Sequence, residues 1–401
     1  MLAAVFPAIL KFWIEFPMKS VSTISCLWLL LCALPLFTFA APQPAIPAPP
    51  ELPARGYLLV DFSSGKTLIE QNADERLEPA SLTKIVTAYV VFREIASGKI
   101  QLTDQVPVSE RAWRTGGSKM FIEVGSRVSV EDLLKGMMIQ SGNDAAIALA
   151  EHVAGSVEAF ANLMNDHAKR LGMTASHYTN PNGLPDPELY TTARDMARVT
   201  LALIREFPDY YAWYRNLDFT YNKITQQNRN PLLKRDSSAD GVKTGHTKAA
   251  GYCLVGSAKR GDMRLISVVM GSATQKARAD ASLALLNYGF RFYESHRLYP
   301  ANQAIMSFRT WYGNLTNLPV GPASDVIATV PRGLYDKLSA RLEKNADFMT
   351  PLAPIAKGAQ VGDIVVNFGD EELVRMPLVA LDEVTEGNLL RKAVDTVLKQ
   401  F

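Results

Sequence analysis

The chain has 401 residues, 48% of them hydrophobic and 20% charged, with a formal net charge of +2. That length accommodates two domains, each with its own core. The sequence holds no basic block interleaved with aromatics and no glycine-rich phosphate loop after a strand pattern, which gives no basis for nucleic-acid or nucleotide binding. Its five histidines (His152, His167, His177, His246, His296) lack metal-ligand spacing, so neither a metal nor a cofactor is expected.

Residues 18–40 read as a secretory signal. Met18-Lys19 opens a short positive region, Cys26 to Phe37 is mostly apolar, and Thr38-Phe39-Ala40 offers small residues for cleavage after Ala40. The apolar run is short for a membrane span, although an uncleaved anchor has the same pattern. Residues 1–17 carry Lys11 and Glu15 in an apolar setting unlike a signal, and Met18 is the expected start of translation. Export would remove Cys26 and Cys32 and leave Cys253 alone, so no intrachain disulfide is expected. Residues 41–54 form a proline-rich, extended lead-in.

The stretch 55–294 reads as one catalytic domain. Tyr57–Asp61 and Thr67–Glu70, joined through Ser63-Ser64-Gly65-Lys66, predict a β-hairpin. Pro79-Ala80-Ser81-Leu82-Thr83-Lys84 then opens an apolar helical run through Ile95. Three residues apart on a helix, Ser81 and Lys84 share a face. A serine becomes a nucleophile when a neighbour takes its proton, and a lysine does so once burial or a nearby cation has expelled its own. The helix start also offers unpaired backbone N–H groups to an oxyanion. Taken alone, Ser81 and Lys84 fit a helix cap followed by a solvated lysine better than a reactive pair.

Farther along, Thr115-Gly116-Gly117-Ser118 forms a loop suited to a cleft border, and Ser129 caps a helix with acids in its first turn. Ser141-Gly142-Asn143 interrupts the helical pattern, with Asp144 placed to cap the next helix, Ala145 to Val153. Such a turn can aim a hydroxyl and an amide at one point, or simply join two helices. Helices follow at 157–171 and from Thr191 to about Phe207, separated by a tract of turn formers, 180–187. Asp240-Gly241-Val242-Lys243-Thr244-Gly245-His246 precedes two alternating segments, 251–258 and 263–270, that read as an antiparallel hairpin. On or beside a strand edge, Gly245 admits a substrate backbone, Lys243 supplies charge and Thr244 a hydroxyl for a carboxylate. A basic edge that discourages aggregation has the same look.

Ser-x-x-Lys, Ser-x-Asn and Lys-Thr-Gly in this order form the signature of penicillin-recognising serine enzymes. The wider stretches Glu78–Lys84, Gln140–Ala145, Ala193–Ala197, Asp240–Tyr252 and Met263–Gly271 resemble the low-molecular-mass penicillin-binding D-alanyl-D-alanine carboxypeptidases. The resemblance implies an α+β fold: an antiparallel sheet flanked by helices, a small β-rich domain and a C-terminal amphipathic helix. It implies that Ser81 attacks the carbonyl between the terminal D-alanines of the peptidoglycan stem peptide, with Lys84 as base and Ser141 relaying protons between Lys84, Lys243 and the leaving D-alanine. Asn143 would hold the substrate amide, and the backbone N–H groups of Ser81 and His246 the oxyanion. Thr244 and Arg229 would grip the terminal carboxylate, although Arg229 lies one residue closer to Lys243 than the family spacing and a structural surface arginine fits there nearly as well. β-Lactams would acylate Ser81. No Glu-x-x-Leu-Asn motif lies between Asn143 and Lys243, which argues against a β-lactamase. A DD-endopeptidase and a penicillin-binding sensor with little turnover share the motifs.

Residues 295–384 turn to short strands broken by proline and glycine, a β-rich module without a reactive constellation. In 385–401, Leu389, Leu390, Ala393, Val394, Val397, Leu398 and Phe401 share one half of a helical wheel, with Arg391, Lys392, Asp395, Lys399 and Gln400 on the other. The pattern fits an interfacial helix or one packed on its own domain, and the resemblance favours a membrane surface. The implied location is the periplasmic side of a bacterial inner membrane.

Overall fold

The computed structural model describes residues 46–400. The signal at 18–40, the start at Met18, Cys26, Cys32 and Phe401 lie outside the described residues.

The catalytic region is built on a five-stranded antiparallel sheet. Its strands are β1 (Gly56–Asp61), β2 (Thr67–Gln71), β3 (Ala239–Thr247), β4 (Gly251–Arg260) and β5 (Met263–Ser272), in the order β2-β1-β5-β4-β3. Because successive side chains alternate across a strand, β1 feeds two cores. Leu58 and Val60 enter the larger one, and Tyr57 and Leu59 the smaller. The helices are α1 (Thr83–Ala96), α2 (Asn143–Ala154), α3 (Val157–Arg170), α4 (Ala193–Glu206) and α5 (Gln275–Phe292). Helix α1 is buried continuously from Thr83 to Phe92 and touches α2, α3 and α4, as an all-round apolar helix must. Helix α5 packs on β4 and β5 and supplies Leu285 and Leu286 to the smaller core. Ser129, Ser156, Thr192 and Thr274 cap their helices by accepting a backbone N–H three residues on.

Strand β3 is an edge of this sheet, as its sequence suggested, and the turn that carries Ser81 lies against it. A Cβ on Gly245 would come within 3.0 Å of the Pro79 carbonyl and 3.2 Å of Ala80 Cβ. Glycine there is what allows the two segments to meet.

The helix expected from Ser129 is α-helical only over 130–135. A π-helical segment, Gly136–Gln140, follows and ends at Ser141 in the left-handed conformation (φ 69°, ψ 31°). Such segments and positive φ at a non-glycine residue are uncommon, and both concentrate where side chains are being aimed. Gly142, not Asp144, occupies the cap position of α2; the Asp144 carboxylate accepts the Ala145 N–H in the first turn and reaches the Met120 and Phe121 N–H groups as well.

Helix α5 leads directly into β6 (Tyr293–Tyr299), so the change of pattern read at Ser295 falls inside a strand. Strands β7 (Met306–Arg309), β8 (Asn317–Pro322), β9 (Val326–Pro331), β10 (Leu338–Lys344), β11 (Gln360–Phe368) and β12 (Glu371–Ala380) complete the module. One sheet runs β7-β8-β12-β11-β10, and β6 pairs with β9. A separate core including Leu318, Val320, Ile364 and Leu378 holds them together. Ser295 donates to Asp61 of β1 at 2.9 Å, fastening this module to the catalytic sheet.

The terminal helix α6 (Leu389–Leu398) is seated opposite to what a helix packed by its apolar face would show. Asp395, on the half of the wheel opposite the leucines, is fully buried. It accepts the Tyr312 N–H at 2.7 Å and faces Arg391 at 3.1 Å, and those partners offset its burial. The apolar half is left outside, with Leu389 87% and Leu390 75% exposed. Among the described residues, no helix is long and apolar enough to cross a membrane.

Candidate active site

Ser81 sits in a 3-10 turn, Ala80–Leu82, that runs directly into α1 and places Lys84 in the first turn of that helix. Lys84 is 1% exposed, and its Nζ lies 2.9 Å from Ser81 Oγ, 2.7 Å from Asn143 Oδ1 and 2.6 Å from the Asn182 carbonyl. An ammonium has three protons and no acceptor, so these oxygens use its whole capacity. Burial still dominates and pushes the Lys84 pKa down to about 7, with Asp144 opposing the shift and Arg229 assisting it.

Asn143 is fixed from two directions. Its Oδ1 receives Lys84 and its Nδ2 donates to the Gly116 carbonyl at 2.6 Å. Its backbone N–H reaches the Ser118 carbonyl at 2.7 Å, so the 115–118 loop borders the site as its glycines suggested. Gly117 has φ +83° and a Cβ there would lie 2.6 Å from Asn143 Nδ2. A side chain at that position would strain the backbone and displace the amide together.

Lys243 is 2% exposed and donates to the Thr244 carbonyl at 3.0 Å. Burial first, then the positive charges of Lys84, Arg229 and Arg278, hold its pKa well below the usual lysine value. Among the described residues it makes no hydrogen bond to Ser141. Arg229 donates through Nε to the Gln140 carbonyl at 2.9 Å, which holds it at the end of the π-helical segment. Ser81, Ser118, Ser141, Arg229, Thr244 and His246 line a common cleft of about 730 Å³, to which Gly245 also contributes. Lys243 itself is not among the residues that line the cleft, and its neighbours Thr244 and Gly245 are.

Several contributors were not identified from sequence. Arg278 of α5 is 5% exposed and donates to the Gly245 carbonyl at 2.9 Å, bracing the Lys-Thr-Gly strand from behind. A single arginine in a helix gives no signal of that. Tyr252 stacks on His246 with ring centroids 4.0 Å apart. The Asn182 carbonyl comes from the turn-rich 180–187 tract, where Gly183, at φ +79°, is pressed against Ala80 and Thr83. Asp144 is fully buried and accepts the N–H groups of Met120 (3.0 Å), Phe121 (2.9 Å) and Ala145 (2.9 Å). It ties the chain beyond the 115–118 loop to the residue beside Asn143.

Replacing Asp144 by Ala strips the Met120 and Phe121 N–H groups of their acceptor. We expect a loss of about 3 kcal/mol in denaturant unfolding, with faster amide exchange in residues 118–122. Unchanged stability and exchange would show that this carboxylate does not hold the loop.

Comparison with known proteins places this geometry. Residues 43–274 match the D-alanyl-D-alanine carboxypeptidase family and residues 293–386 match the penicillin-binding protein 5 C-terminal domain. The D-alanyl-D-alanine carboxypeptidase DacC of Escherichia coli (strain K12) is 44% identical over 377 residues, covering 91% of this chain and 94% of the relative. Penicillin-binding protein 5 from Haemophilus influenzae superimposes with a TM-score of 0.79 at 41% identity, covering 84% of this chain and 99% of that one. Penicillin-binding protein D2 from Listeria monocytogenes, in an ampicillin-bound form, superimposes with a TM-score of 0.57 at 29% identity, covering 61% of this chain and 99% of that one. The chain therefore belongs to the D-alanyl-D-alanine carboxypeptidase family of penicillin-binding proteins and is a hydrolase of that type.

Proposed function

We propose that this enzyme removes the terminal D-alanine from peptidoglycan pentapeptides through an acyl-enzyme on Ser81. The observation that carries the reading is a buried lysine, depressed to about pH 7, in hydrogen-bond contact with a serine hydroxyl at 2.9 Å. When Lys84 loses a proton, Nζ keeps its bonds to Asn143 and Asn182 and accepts the Ser81 hydroxyl. Ser81 Oγ then bonds to the carbonyl carbon between the two D-alanines, and its proton passes to Lys84. Backbone N–H groups of Ser81 and His246 receive the oxyanion, Asn143 holds the substrate amide, and Thr244 with Arg229 takes the terminal carboxylate. As the C–N bond breaks, the proton that Lys84 took passes through Ser141 to the leaving amine, with Lys243 beside the path. Water then adds to the ester carbon, Oγ leaves with a proton, and the shortened peptide departs. The cluster of Lys84, Lys243, Arg229 and Arg278 about one cleft suits an anionic chain end. β-Lactams, as mimics of that end, acylate the same oxygen.

Attachment to the membrane surface through α6 completes the reading. The helix turns Asp395 inward and presents Leu389, Leu390, Val394, Val397 and Leu398 outward, the arrangement an interfacial helix requires. Together with the signal read at 18–40, this supports a location on the periplasmic face of the inner membrane.

Residues 41–401 incubated with pentapeptide should release one D-alanine by mass spectrometry, and Ser81→Ala should release none. Cleavage of cross-linked muropeptides in preference would make the enzyme an endopeptidase, and penicillin labelling without peptide turnover would make it a sensor. Because neutral Lys84 is the reactive form, penicillin acylation should fall about tenfold per pH unit below about 7 and level off above it. A flat profile from pH 5 to 8 would remove Lys84 as the base. In flotation with anionic vesicles, Leu389→Asp with Leu390→Asp should lower membrane binding about tenfold while penicillin labelling persists. Equal flotation of both proteins would reject α6 as the anchor.

A further inference from the structure

A second cavity, of about 410 Å³, opens at the end of the catalytic sheet where β3 turns into β4 and β5 finishes. His246 and Tyr252, the stacked pair, line both this cavity and the catalytic cleft and form the wall between them. Arg55 and Lys248 bring two cations to it. Lys248 is exposed and makes no ion pair with any described residue. Arg55 spends its Nη2 on Glu75 at 2.6 Å and retains other donors. Ser272 is also in the lining, and its buried hydroxyl has no hydrogen-bond partner. Of the neighbouring acids, Glu75 is paired with Arg55, and Glu78 accepts the Thr247 hydroxyl at 3.1 Å and keeps its charge. The cavity therefore offers one unpaired cation, Lys248, beside the Arg55–Glu75 pair, and a Ser272 hydroxyl without a partner among the described residues.

Its position follows the expected path of a substrate. An extended peptide adds to a sheet edge as a further strand, and β3 is that edge. With the terminal carboxylate at Thr244 and the scissile carbonyl beside Ser81, the acyl side must run past His246 toward Thr247 and Lys248. Two residues of extended chain span ~7 Å, so the residue before the penultimate D-alanine lies level with the cavity mouth.

We propose that this cavity is a subsite for a carboxylate on the acyl side of the scissile bond, selecting stem peptides that carry an acidic side chain there. The proposal rests on the seating of the chain end at Thr244 and Arg229 given above. Arg55 and Lys248 supply the charge, and Ser272 a hydrogen bond at the floor.

The test uses two capped tripeptides ending in D-Ala-D-Ala. Their first residue bears either a side-chain carboxylate or the matching amide. The full exported chain should favour the carboxylate by about fivefold in kcat/KM, chiefly through KM, and less so at high salt. Lys248→Ala should abolish the preference and Lys248→Glu should reverse it, with amide-peptide turnover and penicillin labelling within twofold of the parent. Equal preference in parent and variants, or none in the parent, overturns the subsite while leaving the carboxypeptidase reading intact. Failure of the parent to cleave either peptide, with penicillin labelling retained, overturns the seating itself and the subsite with it.

Discussion

The site depends on the placement of one ammonium group in a dry position with only enough oxygen around it. Burying a charged lysine without partners is prohibitive, and surrounding it with carboxylates would fix its proton permanently. Lys84 has three neutral oxygens, from Ser81, Asn143 and Asn182, which compensate its desolvation without a full opposing charge. The outcome is a group balanced between its two protonation states near neutrality. In the proposed reaction that balance is what a proton acceptor for a serine requires.

Each of those oxygens comes from a different part of the chain, and the surrounding structure exists to hold them. Asn143 is oriented by the Gly116 carbonyl and admitted by the missing side chain of Gly117. Asn182 arrives on a turn pressed against the Ser81 segment by Gly183. Asp144 contributes backbone anchoring and a buried negative charge that limits how far Lys84 is depressed. Behind the strand, Arg278 braces Gly245 and adds to the positive charge that lowers Lys243. Small residues permit the close approaches, and buried charges set the electrostatic level of the cleft.

The C-terminal part shows the same economy of charge. Helix α6 is held to the β-rich module by Asp395, whose burial is compensated by the Tyr312 N–H and by Arg391. The hydrophobic effect would ordinarily turn the leucines of such a helix inward. In α6 the buried carboxylate accompanies the reverse arrangement, with an apolar ridge left exposed.

The sequence alone determined the helix that opens at Pro79–Lys84, the edge strand with Lys243-Thr244-Gly245 and the β-rich module, because local pattern and spacing carry that information. Pro79 through Lys84, Ser141-Gly142-Asn143 and Lys243-Thr244-Gly245 were legible as three short signals whose order pointed to one chemistry. Tertiary structure decided the rest. That Asp144 would reach the Met120–Phe121 backbone, that Asn182 would offer its carbonyl to Lys84, and that Arg278 would reach Gly245 are contacts between distant segments. The burial of Asp395 has the same origin: a helical wheel groups it with Arg391 and Lys399, and only the packed module brings the Tyr312 N–H to it. The pKa of Lys84 likewise belongs to the folded chain, since burial is its largest cause and no residue carries its burial in its own identity.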